Sequence, residues 1–132
     1  MHLQHVVLVD DDEISNFIYR KLLKLIAPDA LVEEFLTADS ALASFKSTGK
    51  LPQLLLLDVN LAGMSSWDFL HHVESSFGLQ ASQTIVYIIS ASLDERDIMK
   101  AYQSNRVSGF LSKPVAFEKL KAVCAPFSEV GH

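Results

Sequence analysis

The sequence predicts an α/β domain: a three-layer α/β/α sandwich whose middle layer is a five-stranded parallel sheet. Three observations carry that prediction. Five short apolar runs recur, at His5–Val9 and at residues 31–36, 54–57, 85–89 and 107–111, each of strand length and several rich in β-branched residues. Segments with helical spacing lie between them, so strand and helix alternate. Alternation of this kind gives parallel strands whose crossover helices cover both faces of the sheet.

The elements follow in order. After the first run, Glu13–Ile26 has Phe17, Ile18, Leu22, Leu25 and Ile26 at helical spacing, and this predicts an apolar stripe that faces the core. Pro28 stops that helix. Glu33 and Glu34 interrupt the second run, which suits an edge strand better than a central one. Thr37 and Asp39 can open a second helix, closed by Gly49 and Pro52 before the third run. Ser65, with Asp68 three positions on, can cap a third helix, and Ser92 with Glu95 has the same spacing before a fourth. Pro114 ends the fifth strand, and a last helix is expected over residues 116–123 with Pro126 as its limit.

Composition bounds the function. A chain of 132 residues, 49% hydrophobic and 20% charged, fits one compact domain over residues 1–132 with no output domain. Eleven Lys and Arg against sixteen Asp and Glu leave a net charge of -5, which disfavours a direct nucleic-acid partner because phosphate backbones demand clustered positive charge. There is no basic and apolar leader of the secretory kind. The apolar runs fall well short of the roughly 20 residues a membrane span needs, so the expected location is the cytoplasm, away from membranes. A lone cysteine, Cys124, excludes an internal disulfide and a multi-cysteine metal site; it reads as a packed side chain.

Reactive groups collect at the predicted strand ends. Strand one ends in Asp10, Asp11 and Asp12, strand three in Asp58, strand four in Ser90 and strand five in Lys113. Parallel strands bring these termini to one edge, where ligands of open α/β sheets bind. Neighbouring carboxylates repel unless a cation intervenes, and an all-oxygen set favours Mg²⁺. An ionised aspartate needs no general base to attack phosphorus, and Asp58, centred among the strands, is the best candidate nucleophile. Mg²⁺ and Lys113 together cancel the charges of Asp10, Asp11 and Asp58, and both can stabilise the spreading charge of phosphoryl transfer. The Ser90 hydroxyl is placed to donate to a new phosphoryl group. Taken singly, each has a plainer role: Asp10 to Asp12 as a helix cap, Asp58 as a turn residue, Ser90 as a strand-end hydroxyl, Lys113 as a solvated lysine. Their joint placement at four strand ends favours one site. His71 and His72 are adjacent on the third helix and lack a convergent metal-binding spacing.

With Val9-Asp10-Asp11, the run ending in Asp58, Ser90-Ala91 and Phe110 ahead of Lys113-Pro114, the chain resembles the receiver domains of two-component response regulators over nearly its whole length. The resemblance implies a flavodoxin/CheY-like sheet of order 2-1-3-4-5. It makes Asp58 the phosphoacceptor, modified to 4-aspartylphosphate, and Asp11, Asp58 and the Asn60 carbonyl direct Mg²⁺ ligands. Asp10 would act on the metal mainly through water. Ser90 and Phe110 would form the switch pair, Lys113 would bind the phosphoryl group, and the Lys113–Pro114 bond would be cis. After Asp58 the family pattern runs through Met-Pro to Met-Asp-Gly, whereas this chain reads Leu61-Ala62-Gly63-Met64-Ser65-Ser66. The missing proline implies a looser loop. Asn60 and Ser92 would tune signal lifetime.

The expected function is a stand-alone switch. A sensor histidine kinase or histidine phosphotransfer protein would phosphorylate Asp58, and a downstream protein would dock on the face of helix four (residues 94–103), strand five and helix five. Such a receiver acts on itself and turns over no other substrate. A haloacid-dehalogenase-type, Mg²⁺-dependent phosphohydrolase is the main rival, since Asp10-Asp11-Asp12 satisfies its Asp-x-Asp signature with Asp10 as nucleophile. It lacks the further acidic pair after Lys113 and leaves Asp58 idle. A receiver that binds partners without phosphorylation is disfavoured because no required group is missing. A flavin module is disfavoured because acids after strand one would repel the cofactor phosphate.

Overall fold

The structure, a computed structural model, describes residues 2–59, 61, 63–91, 96, 99, 103 and 106–128. Five strands, β1 (His5–Val9), β2 (Leu31–Phe35), β3 (Leu54–Asp58), β4 (Ile85–Ser90) and β5 (Gly109–Ser112), form one sheet of order β2-β1-β3-β4-β5. All four pairings are parallel. Helices α1 (Glu13–Ile26), α2 (Ala38–Thr48) and α3 (Ser66–Phe77) connect them with a 3₁₀ turn, Gly78–Gln83, and the chain of helices closes with a C-terminal helix, Phe117–Ser128. The predicted fourth helical segment lies largely outside the described residues, as do Ser92 and Glu95.

Strand alternation divides the interior into two cores. Val7, Val9, Leu55, Leu57 and Ile88 face α2 and α3, meeting Phe45 and Phe69. Val6, Leu8, Leu54, Leu56 and Ile89 face α1 and the C-terminal helix, meeting Leu23 and Leu120. Because β1 and β3 are covered on both sides, both periods of each strand are apolar. β2, at the edge, is covered less well, and its two glutamates find side-chain partners: Glu33 meets His5 Nε2 at 2.5 Å and Glu34 pairs with Arg20 Nε at 2.6 Å.

The local signals act as read for most elements. The Thr37 hydroxyl accepts from the Ser40 amide at 3.1 Å and the Ser65 hydroxyl from the Asp68 amide at 3.1 Å, so both helices start at their predicted caps. Gly49 ends α2 at φ 70°, a conformation glycine adopts without side-chain strain.

Three expectations are corrected. Of the predicted stripe on α1, Leu22 and Ile26 pack against the core, but Phe17 (50%), Ile18 (48%) and Leu25 (72%) are exposed, and the fully buried residues are Asn16, Tyr19 and Leu23. Both sides of α1 carry apolar residues, and the side that is buried is disguised in the sequence by a polar residue, Asn16. Its amide enters the core because it finds a backbone partner there. Pro126 does not end the last helix, which runs on to Ser128. It forfeits the one i→i−4 hydrogen bond that an N–H at this position would make, and Phe127 beyond it packs on the core. The ladder of β5 starts at Gly109 rather than at residue 107, with Val107 packing ahead of it against the α2/α3 core.

These faces predict opposite mutational behaviour. Leu23→Ala should cost about 2–5 kcal/mol by urea unfolding, whereas Leu25→Ser should stay within about 0.5 kcal/mol. Equal losses would contradict the assignment of the buried face.

Candidate functional site

The acids meet at the carboxyl edge of the sheet. β1 and β3 are adjacent, with Val9 level with Leu57, so Asp10 and Asp58 leave the sheet side by side. One carboxylate oxygen from each of Asp10, Asp11 and Asp58 lies within 4.8 Å of the others. Asp10 is buried, Asp58 half-buried and Asp11 exposed. Three hard anionic oxygens at this separation suit a small divalent cation such as Mg²⁺, which keeps several waters of its own.

Lys113, just past β5, reaches across β4 to this group. Its Nζ donates to Asp10 Oδ2 at 2.7 Å and to Asp58 Oδ2 at 3.1 Å. Burial alone would lower the lysine, but the bonds to Asp10 and Asp58 outweigh it and hold the ammonium above the ordinary lysine value. Burial pushes the Asp10 carboxyl above the usual carboxylate range, against the opposing pull of Lys113. Lys113 is therefore a fixed positive charge set between two acids. The Lys113–Pro114 bond is cis, as the resemblance implies.

The three consecutive aspartates divide their work. Asp12 is the N-cap of α1: its carboxylate accepts from the Ile14 amide and the Ser15 hydroxyl, each at 3.0 Å. The hydroxyl first, then the amide, hold its carboxyl below the usual range. The plain capping role thus belongs to Asp12. Asp10 turns Oδ1 to the Asp12 amide at 3.0 Å and Oδ2 to Lys113, so it is engaged through both oxygens.

Ser90 is the buried last residue of β4, one step beyond Ile89, the partner of Asp58 in register. Its carbonyl accepts from the Lys113 amide at 2.9 Å, which ties the hydroxyl-bearing residue to the lysine. Phe110 is half-buried, level with Ile88, and packs on the α2/α3 core. Asp10, Asp11, Asp58, Ser90 and Lys113 therefore share one edge, with Phe110 three residues from the lysine. Asn60 lies outside the described residues. His71 and His72 are exposed on α3.

Sequence reasoning missed two buried polar residues beside the site. Asn16 Nδ2 donates to the Asp10 carbonyl at 2.9 Å, and Ser66 Oγ donates to the Val59 carbonyl at 3.0 Å. The available signal was a polar side chain on the inward face of a helix start.

The family model of the response regulator receiver domain matches residues 6–125. The cyclic di-GMP phosphodiesterase response regulator RpfG of Xanthomonas campestris pv. campestris is 29% identical over 121 residues, 92% of this chain and 31% of that protein. The probable methanogenesis regulatory protein FilR2 of Methanothrix harundinacea is 35% identical over 79 residues, 60% of this chain and 49% of its own length. The chain thus spans half or less of either relative. A two component response regulator from Cytophaga hutchinsonii has the same fold, with a TM-score of 0.86 at 24% identity, covering 98% of this chain and 99% of that one. None of the described helices is long and apolar enough to cross a membrane. A family match over residues 6–125 makes the chain a member of the response regulator receiver domain family, the signalling switches of two-component systems.

Proposed function

We propose that this receiver accepts a phosphoryl group on Asp58, in a Mg²⁺-dependent reaction, from a histidine kinase or histidine phosphotransfer protein of the cytoplasm. The observation that carries this reading is the Lys113 ammonium held between Asp10 and Asp58 with Asp11 within reach. Asp58 suits the nucleophile better than Asp10. Its side chain is 14% exposed against 6%, so a donor reaches it more readily. This also counts against a phosphohydrolase that would attack through Asp10.

In the transfer, a carboxylate oxygen of Asp58 forms the bond to phosphorus as the phosphorus–nitrogen bond of the donor phosphohistidine breaks and the imidazole leaves with the electron pair. A divalent ion held at this site would supply neutralising charge to the phosphoryl oxygens. Asp11 and Asp58, with the Asn60 carbonyl the resemblance implies, would hold it, and Asp10 would orient its water. Lys113 needs only a small shift to reach the new phosphoryl oxygens, since it already touches Asp58. Ile14, Phe17 and Ile18 are exposed in the first two turns of the helix that starts at these acids and supply apolar area for a protein donor.

Output follows from the added charge. The Ser90 hydroxyl turns to the phosphoryl group, and Phe110 follows it inward, which biases a partner-binding state. A hollow of about 280 Å³ beside Phe110, lined also by Pro114, Val115 and Lys119, lies on the proposed β5 and C-terminal-helix docking face.

Acetyl phosphate with Mg²⁺ should add one phosphoryl group by intact mass to the native chain and none to Asp58→Asn. Chelation should suppress the adduct, and labelling that persists in Asp58→Asn would overturn the assignment. Replacing the ammonium by Lys113→Met should slow that labelling about tenfold or more; an unchanged rate would remove the lysine from the chemistry. Amide exchange and chemical shifts of β5 and the C-terminal helix should change on addition of Mg²⁺ and beryllofluoride. Shifts confined to the acid loops would exclude coupling through Phe110.

A further inference from the structure

Two polar side chains, Asn16 (1% exposed) and Ser66 (0%), are buried as fully as the apolar core beside the acids. Asn16 lies in α1 and bonds the carbonyl of Asp10, the residue that ends β1's run. Ser66 opens α3 and bonds the carbonyl of Val59, the residue after Asp58. Each acid-bearing loop is thus fastened, at the peptide where the chain leaves the sheet, by a side chain of the helix it leads into. A carbonyl there has left the ladder and needs a donor. The Asn16 Nδ2 bond to the Asp10 carbonyl is the contact that holds this buried side chain beside the acids. Ser66 stands where the family pattern has glycine, in the loop that lacks the pattern's proline.

We propose that Asn16 and Ser66 are positioning residues: by holding the Asp10 and Val59 carbonyls they set the spacing of the Asp10, Asp11 and Asp58 carboxylates that receive the cation. The proposal rests on the cation-assisted reading above. It differs from a general structural role by location. Thr84 is also buried, and its hydroxyl donates to the Pro52 carbonyl at 2.9 Å, but at the opposite ends of the strands. Losing that bond removes an equivalent contact and leaves the acids alone.

The test is calorimetric titration with MgCl₂ of the full native chain, Asn16→Ala, Ser66→Ala and Thr84→Ala, with melting temperatures for each. All three variants should melt below the native chain. Mg²⁺ affinity should fall about tenfold in Asn16→Ala and Ser66→Ala and stay native in Thr84→Ala. If Asn16→Ala does not fold, Ser66→Ala decides the question on its own. Native affinity in the folded Asn16 and Ser66 variants, or an equal fall in Thr84→Ala, overturns the proposal alone. A native chain that takes up no Mg²⁺ overturns the phosphoacceptor reading along with it.

Discussion

The arrangement of this molecule depends on one ammonium held among carboxylates. At an effective dielectric typical of a protein surface, two like charges about 4 Å apart repel by roughly 4 kcal/mol. Asp10, Asp11 and Asp58 have oxygens within 4.8 Å of one another, and Lys113 sits at hydrogen-bond distance from two of the three. It offsets part of the repulsion and leaves the cluster net negative. The remaining charge is what the proposed cation would answer and the proposed phosphoryl group disturb, so binding, transfer and signal would all draw on a single electrostatic imbalance.

The fold exists, in this sense, to hold that imbalance in place. The lysine and the first acid lie 103 positions apart, yet parallel strands require all carboxyl ends to point one way. The leucine-rich run of β3, buried on both faces, fixes Asp58 at the centre of the edge. Two cores, one on each face, make the register of β1 and β3 hard to slip, since a one-residue shift would exchange every side chain between them. Rigidity reaches the loops through polar contacts: the Asp12 cap, the Asn16 amide, the Ser66 hydroxyl and the backbone bond from Lys113 to Ser90.

Much of this is legible in the residues because it depends on local rules. The bounds of β1 and α1, the caps Thr37 and Ser65 and the stop at Gly49 follow from side chains acting within a few positions of themselves. Strand parallelism places Asp10, Asp58, Ser90 and Lys113 on one edge, and the order β2-β1-β3-β4-β5, which the family resemblance implies, makes them neighbours. What escapes is decided by partners far off in the chain. The inward face of α1 cannot be chosen from spacing when Phe17 and Ile18 compete with Tyr19 and Leu23, and Asn16 marks that face only once the Asp10 carbonyl is known to be its acceptor. The helix beyond Pro126 persists because of the packing of Phe127, which no local propensity encodes. Ser66 reads as a change at a helix start until its bond to Val59 places it at the loop's anchor.

The most direct test of the central claim is a crystal structure with Mg²⁺ and beryllofluoride bound. The expected result is the fluoride adduct on an Asp58 oxygen, the metal between Asp11 and Asp58, and Lys113 in contact with the adduct. An adduct on Asp10, or a lysine withdrawn from Asp58, would contradict it.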